Sequence, residues 1–354
     1  MSPNNKKDIR DLTLEELRAE LEAMGEKPFR AAQIFDWLYH KGATDFAGFT
    51  SLSKDLREKL AARFTIVALE PEAQLKSKDG TAKFLFKLAD GHCVETVLIP
   101  SGKRNTVCLS TQAGCKFGCA FCASGLHGFK RNLTPGEIAG QALYVVKTPG
   151  VEITNYVFMG MGEPLDNFDN LAKAIRVMTA PEGMGIAARR MTVSTAGHIP
   201  GIVRLKALDL QVNLSISLHA VTDRLRSRLM PINAKYPLEK LVSACEGYIR
   251  AGGRMITLEY ILIRKVNDSL NDADGLAGIA RRLRAKVNLI AFSPVPGLTF
   301  ETPSDAEVAR FTRWLEERRV HVTLRLSKGQ DIFAACGQLA GRFLEKGGPA
   351  GAGG

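Results

Sequence analysis

The strongest constraint on the fold is a regular alternation of strand-like and helix-like segments through the larger, second part of the chain. Helix-like segments separate most of the strand-like ones, which read NTVCLST, TNYVFMG, RMTVST, QVNLSIS, RMITLEYILI, KVNLIAF and HVTLRLS. Strands joined through helices run parallel, because the helix carries the chain back to the end of the sheet where the previous strand began. The pattern predicts an α/β fold with a parallel sheet, open or closed into a barrel, and functional side chains at the carboxyl ends of its strands.

Two segments of other kinds precede this region. Thr13 stands three residues before Glu16, which indicates a capping box at the start of a helix, and two further helix-like segments follow. Turn signals at Asp79-Gly80 and Asp90-Gly91 border strand-like segments of a hairpin or meander. The predicted divisions are a helical domain over residues 1–68, a linking β-hairpin over 69–100, a main domain over 101–345 and a flexible Gly-rich tail over 346–354.

A cluster of three cysteines follows the first strand of the alternating region. Cys115, Cys119 and Cys122 lie in the Gly-rich stretch GCKFGCAFCASG. Zinc sites more often use paired CxxC units, although a zinc knuckle completed by His127 is the alternative. Cys is the normal ligand of iron in iron–sulfur clusters, and three thiolates leave one iron of a 4Fe–4S cluster open to a small molecule. The spacing therefore favours a 4Fe–4S cluster with an exogenous ligand.

Charge and cysteine usage narrow the class of protein further. The formal net charge is +11 over 354 residues, which favours a polyanionic partner such as a nucleic acid or the ribosome, although a plain basic enzyme fits as well. Seven cysteines, an odd number, argue against a secreted disulfide framework and for metal or redox chemistry in a reducing compartment. The sequence contains neither a secretory signal nor an apolar run that would span a membrane, so we expect a cytoplasmic protein.

The CxxxCxxC motif after the first barrel strand resembles the signature of the radical S-adenosylmethionine (SAM) superfamily. This resemblance implies a partial (β/α)6 barrel of the TIM type. It also implies that SAM binds the open iron, and that an electron from the cluster splits its sulfonium to give a 5′-deoxyadenosyl radical. The positions that match SAM contacts are Gly162 and Glu163 in GMGEP, Ser194 in VSTAG, Ser217, Leu218 and His219 in SISLHA, and Ser293 in AFSPVPG. Relatives often carry Asn where Ser293 stands, and serine lacks the amide, so a cofactor contact is expected to be weaker there.

A closer resemblance covers nearly the whole chain. FRAAQIFDWLY, GMGEP, SISLHA, PIN, EYILI, VND and AACGQLA occur in the same order in the dual-specificity 23S ribosomal RNA and transfer RNA adenine-C2 methyltransferases. The resemblance implies methylation of carbon 2 of adenine in 23S rRNA, at the peptidyl-transferase centre, and in tRNA, at the adenine 3′ to the anticodon. It also implies an RNA-binding N-terminal domain, a radical SAM main domain and a reducing electron donor such as flavodoxin. We expect a monomer.

The same resemblance implies a methyl shuttle on two cysteines. Cys336 in AACGQLA accepts a methyl group from one SAM, and the radical from a second SAM takes a hydrogen atom from that S-methyl group. The methylene radical adds to the adenine ring, and Cys108 then helps to release the RNA, which leaves a disulfide between the two cysteines. Glu95 matches the family's proton acceptor, a role that partial desolvation would favour by raising its pKa. Whether Glu95 or Cys108 removes the carbon-2 proton stays open, and Cys93 and Cys245 are expected to be structural.

Several basic residues are candidates for contacts with RNA phosphates. Those in the main domain are Lys103, Arg104, Lys130, Arg131, Arg224, Arg226 and Arg228, and those of the N-terminal domain are Arg30 and Lys41 beside Trp37. Three other functions are alternatives to the adenine-C2 methyltransferase. They are a related adenine-C8 methyltransferase of the antibiotic-resistance type, a non-catalytic zinc-stabilised RNA-binding protein, and a radical enzyme that acts on a small metabolite.

Overall fold

The computed structural model describes residues 6–148, 150–208 and 210–341, and the predicted Gly-rich tail lies outside them. The strands in these ranges are β1 (Lys7–Asp8), β2 (Phe64–Thr65), β3 (Pro71–Lys76), β4 (Ala82–Lys87), β5 (Cys93–Ser101), β6 (Arg104–Cys108), β7 (Gln112–Gly114), β8 (Phe129–Asn132), β9 (Asn155–Phe158), β10 (Met191–Thr195), β11 (Asn213–Ser217), β12 (Thr257–Leu262), β13 (Lys286–Ala291) and β14 (Val322–Arg325). The α-helices are α1 (Leu14–Ala23), α2 (Arg30–Phe35), α3 (Lys54–Arg63), α4 (Ala123–Leu126), α5 (Pro135–Val146), α6 (Phe168–Thr179), α7 (Ile199–Ala207), α8 (Asp223–Leu229), α9 (Leu238–Arg250), α10 (Leu270–Leu283) and α11 (Asp305–Glu317).

A mixed sheet of ten strands forms the centre of the described chain. Its spatial order is β14-β13-β12-β11-β10-β9-β6-β5-β4-β3. The part from β6 to β14 is parallel, as the alternation predicts. Since β14 and β3 are the two ends of this order, the sheet is not closed into a full barrel by strand pairing within the described residues. The predicted α/β fold with a partial barrel is confirmed.

Helices form the crossover connections between successive parallel strands. They begin where the sequence supplies caps: Thr134 and Glu137 form a capping box for α5, as do Ser269 and Asp272 for α10. Three short helices, α4, α7 and α8, were not predicted from the sequence. Among the described helices, none combines the length and the apolar character that a membrane crossing needs.

The segment predicted as a linking hairpin is an antiparallel meander. Strands β3, β4 and β5 pair in sequence, and β5 pairs antiparallel with β6, the first parallel strand. We call β3–β5 the antiparallel flank. Because it continues the same sheet, it lies beside the parallel strands as part of one structure.

The N-terminal helices pack on the outside of the main sheet's helices. The predicted capping box of α1 is present, with the Glu16 N–H donating to the Thr13 hydroxyl. Helix α2 continues into one π-helical turn, Asp36–His40. Asp11 accepts a hydrogen bond of 2.9 Å from the Gly136 N–H at the start of α5. A Cβ on Gly136 would lie only 3.0 Å from the Cβ of Arg10, so glycine allows this close approach. This contact ties the N-terminal helices to the main sheet.

Candidate active site

A cavity opens at the carboxyl ends of the parallel strands. Its empty volume, including the part open to solvent, is about 820 Å³. The cysteine loop forms one wall, and residues that end or follow β9, β10 and β11 form another. The sequence-predicted residues that line it are Cys115, Cys119, Cys122, Gly162, Glu163, Ser194, Ser217, His219 and Cys336. Residues far apart in the sequence therefore meet where the strand pattern predicts a site.

The cysteine loop is shaped by its glycines and by the β7–β8 hairpin. Gly114 has φ +73°, and a Cβ there would lie 1.8 Å from the Gly128 carbonyl oxygen, so only glycine fits. Burial raises the pKa of Cys115 to about 12, so metal binding has to displace a proton from its thiol. Within the described ranges, no group of three or more His, Cys, Asp or Glu residues is arranged to hold a single metal ion.

The donor set fits an iron–sulfur cluster better than a zinc ion. Three soft sulfur donors line one cavity, whereas His127, the alternative fourth ligand for zinc, lies outside its lining. Cys119 is close enough to both other thiols for their charge to add to the effect of burial, which raises its pKa well above the usual value. Three convergent thiols that face a cavity wide enough for a further ligand match a cluster with one open iron.

The GMGEP segment after β9 builds a polar pocket beside the thiols. A Cβ on Gly160 would lie 2.7 Å from the Leu109 carbonyl oxygen, and Gly162 has φ +98°. Glu163 is buried, and its carboxylate accepts hydrogen bonds from the N–H groups of Ala196 (2.7 Å) and Leu165 (3.1 Å). Burial outweighs these bonds and raises the pKa of Glu163 to about 7. A buried carboxylate in a fixed orientation is suited to receive an ammonium group.

His219 lines the cavity as a neutral imidazole. Its Nδ1 accepts a hydrogen bond of 3.1 Å from the Ile261 N–H, and its backbone has φ +57°. Burial, aided by the Arg226 charge, lowers the pKa of His219 to about 3. With Nδ1 acting as an acceptor, the proton lies on Nε2, which can donate to a ligand.

Two of the residues matched to SAM contacts, Leu218 and Ser293, do not line the cavity. Leu218 is buried beside the cavity, and its N–H donates to the Glu259 carbonyl at 3.0 Å. Ser293 is buried after β13. Neither residue is part of the cavity lining, so the cofactor contacts matched to them stay predictions.

The two cysteines predicted to form a methyl shuttle line a second cavity, whose empty volume, including the part open to solvent, is about 630 Å³. Cys336 lines both cavities, whereas Cys108 lines only the second. Both are free thiols, as are the other five cysteines. No disulfide links the described cysteines, so the one that the resemblance implies stays a prediction.

Two charged residues of the site were missed by the sequence analysis. Arg325 at the end of β14 lines both cavities, and the nearby charges of Cys336, Glu259 and Cys108 raise its pKa despite burial. Glu259 on β12 lines the first cavity, and its Oε1 accepts a hydrogen bond of 3.1 Å from Asn288. A charged residue inside an otherwise apolar strand, as in TLEYIL, is the signal that could have found Glu259.

Glu95, the predicted proton acceptor, lines neither cavity. Its Oε1 lies 2.9 Å from Lys83 Nζ, and its Oε2 accepts hydrogen bonds from the N–H groups of Ala340 and Gly341. Burial raises the pKa of Glu95, and the Lys83 ammonium opposes this shift. The carboxylate therefore contacts the segment that carries Cys336, and the sequence analysis did not identify Lys83 as its partner.

One predicted RNA contact is wrong. Arg226 is fully buried, and its guanidinium donates to the Ala196, Ser217 and Leu218 carbonyls and to Asn233 Oδ1. It supports the strand ends from inside and cannot reach a phosphate. The neighbouring positions Arg224 and Arg228 are exposed, as the prediction requires.

The other basic candidates for RNA contact differ in solvent exposure and in ion pairing. Lys103, Arg104 and Lys130 are exposed, whereas Arg131 is half-buried and forms ion pairs with Asp90 and Glu137. In the N-terminal helices, Lys41 Nζ lies 3.8 Å from the centre of the Trp37 ring.

The fold and the three-thiol cavity define an enzyme of the radical SAM type, and residues 109–274 match the family model described as "Radical SAM superfamily". Residues 7–66 match the model described as "Ribosomal RNA large subunit methyltransferase N-terminal domain". A crystal structure of a radical SAM methyltransferase from Sphaerobacter thermophilus is 44% identical, covers 95% of this chain and 100% of that chain, and superimposes with a TM-score of 0.90.

Curated relatives specify the family. The dual-specificity RNA methyltransferase RlmN of Geotalea uraniireducens is 47% identical over 96% of this chain and 98% of its own length. That of Syntrophus aciditrophicus is 46% identical over 97% of this chain and 99% of its own length. The chain belongs to the RlmN family of dual-specificity RNA methyltransferases, which are SAM-dependent enzymes with a 4Fe–4S cluster.

Proposed function

We propose that this chain methylates carbon 2 of adenine in 23S rRNA and in tRNA through a methyl-cysteine shuttle on Cys336. The observation that carries the proposal is the position of Cys336, which lines both the cavity of the three cluster thiols and the cavity of Cys108. Family membership and the basic net charge of +11 support an RNA substrate.

The chain's own residues have separable tasks in this proposal. Cys115, Cys119 and Cys122 hold the cluster, which with bound SAM supplies one-electron reductive cleavage. Glu163 receives the ammonium of SAM, and His219 Nε2 donates a hydrogen bond to an acceptor atom of SAM, while Ser194 and Ser217 provide hydroxyls at the strand ends. Cys336 carries the methyl group towards the RNA base, and the RNA must offer that base unstacked, because the thiols are recessed in a cavity.

Finer features of the reaction belong to the same proposal. Cys108 and Cys336 form a disulfide when the RNA adduct is released, and the cavity that both residues line supports this step. A flavodoxin-like donor supplies the electron, and the enzyme acts as a cytoplasmic monomer.

The decisive experiment follows the fate of a deuterated methyl group. Anaerobically reconstituted enzyme is incubated with SAM that carries a CD3 group and with rRNA fragments, and the nucleosides are analysed by mass spectrometry beside 2-methyl- and 8-methyladenosine standards. We expect 2-methyladenosine that has lost one label, and none from Cys336→Ala. A fully labelled methyl group, an active Cys336→Ala variant or the 8-methyl isomer would contradict the proposal. Cys245→Ala, which removes a buried thiol on α9 instead, is the matched control.

A further inference from the structure

A buried ion pair lies next to the segment that carries Cys336. Lys83 on β4 and Glu95 on β5 have side chains only 1% and 0% exposed, and Nζ lies 2.9 Å from Oε1. Leu85 is directly opposite Glu95 and Lys83 is opposite Val97, so the two charged residues are diagonal neighbours on one face of the antiparallel flank. Burying two charges is costly unless their remaining hydrogen-bonding capacity is used.

Part of that remaining capacity is used on the segment of residues 327–341, which we call the carrier segment. Lys83 Nζ donates to the Phe333 carbonyl oxygen at 3.1 Å. Glu95 Oε2 accepts from the N–H groups of Ala340 (2.7 Å) and Gly341 (3.2 Å). The two partners of one ion pair therefore hold the carrier segment on both sides of Cys336.

The carrier segment needs such contacts because it has little regular structure. Only one 3-10 turn, Gln330–Ile332, lies in its described part. Phe333 has φ +51°, which is strained for a bulky residue, and Gly337 and Gly341 also have positive φ. Strained backbone persists only where its surroundings fix it. The carbonyl that Lys83 holds belongs to the strained residue Phe333.

We propose that Lys83 and Glu95 are positioning residues that clasp the carrier segment and so place Cys336 at the wall shared by the two cavities. The inference rests on the proposed function in that it takes Cys336 as the methyl carrier. It gives Glu95 a task before RNA binds, since both its carboxylate oxygens contact groups of the chain itself. Lys83 is thereby assigned to the reaction as a residue that acts through Cys336.

A structural test compares Lys83→Met with Lys87→Met in the reconstituted holoenzyme. Lys87 lies on the same strand but is exposed, and is paired only loosely with Glu72. The measurements are iodoacetamide labelling of Cys336, resolved by peptide mapping, and hydrogen exchange of peptides that cover residues 333–341. We expect Lys83→Met to raise labelling at least about tenfold and to speed exchange, because the segment opens locally. Lys87→Met should match the wild type.

Unchanged labelling and exchange in Lys83→Met would overturn the proposal. If that variant does not fold, the isosteric Glu95→Gln variant is measured in the same way, and wild-type labelling there is equally contradictory. Lys83→Arg keeps the charge and should fall between the wild type and Lys83→Met.

A functional test uses the methylation of Cys336 in the absence of RNA. In this step the methyl–sulfur bond of SAM breaks as the Cys336 thiolate forms its own bond to the methyl group, and S-adenosylhomocysteine leaves. No carbon-2 proton is involved, so a Glu95 that acted only as the base towards RNA would leave the step unaffected. We expect Lys83→Met and Glu95→Gln to slow methyl loading by about tenfold or more, because small displacements of a reacting atom are costly. Wild-type loading in both variants would overturn the proposal.

The two tests also separate this inference from the proposed function. If wild-type Cys336 never acquires a methyl group, the shuttle fails, yet the labelling and exchange measurements still decide whether the clasp exists.

Discussion

The parallel part of the sheet and the antiparallel flank contribute to the same site in different ways. The parallel strands present single residues at their carboxyl ends, such as Ser194 and Ser217, and these line the cofactor cavity directly. The flank contributes a buried ion pair that contacts the carrier segment and lines neither cavity. The difference teaches that one sheet can line a site with residues at its strand ends and, in a separate region, hold the backbone of a segment that reaches the same site.

The largest effect is expected from a ligand of the cluster. Cys119→Ala removes one of three sulfur donors, so iron binding and all methylation should be lost after reconstitution. Glu95→Gln on the flank should keep the wild-type iron content and visible absorbance. Iron analysis and absorption spectra of the two variants provide the measurement, and loss of iron from Glu95→Gln would break the comparison between the two regions.

A large loss of stability is expected at the buried cation of the parallel part. Arg226→Met removes the buried guanidinium that donates to the carbonyls of Ala196, Ser217 and Leu218, which we expect to lower the free energy of unfolding by about 3 kcal/mol. Urea unfolding followed by circular dichroism measures the change.

Arg228→Met is the matched control for Arg226→Met, because Arg228 lies exposed on the same helix. Its substitution should change stability by less than about 0.5 kcal/mol. Equal effects from the two variants would mean that the carbonyl contacts of Arg226 contribute little.

A smaller, pH-dependent effect is expected at His219. Its pKa is about 3 in the folded protein against an ordinary 6.5, so the unfolded chain takes up a proton below pH 6.5 that the folded chain refuses. The contribution of His219 to stability is therefore present above pH 6.5 and is lost as the pH falls towards 3. Between pH 6.5 and 4.5 the loss amounts to about 2 kcal/mol.

The His219→Asn variant isolates this term, because Asn tolerates the positive φ and does not titrate. Unfolding free energies of the wild type and the variant, measured from pH 7.5 to 4.5, should converge as the pH falls. Parallel curves would contradict a neutral, buried His219.

Much of the fold could be predicted because local signals and the global pattern agree. Parallel strands, their alternation with helices and capping boxes such as Thr13 with Glu16 are all visible in the sequence and present in the structure. The cysteine loop could be located because its chemistry is carried by neighbouring residues. Helix α7 was missed because it is short and contains Pro200 and Gly201 near its start, which read as a turn.

The parts that could not be predicted depend on tertiary packing. Arg224, Arg226 and Arg228 look alike in DRLRSRL, and only the folded structure shows that the middle one is buried. The pairing of Lys83 with Glu95 depends on the register of β4 and β5, and the sequence does not show that the face they share is buried. Both cases concern charged residues that the chain buries, against the usual preference for solvent.

The path of the carrier segment has a further consequence. The segment leaves β14 at one edge of the open sheet and reaches the strands near the other edge, where Gly329 N–H bonds to Asp79 and Phe333 O to Lys83. The segment thus connects the two edges of the sheet, which strand pairing leaves apart. Because the same segment carries Cys336, deletion of these residues would remove the link between the two edges and the Cys336 thiol together.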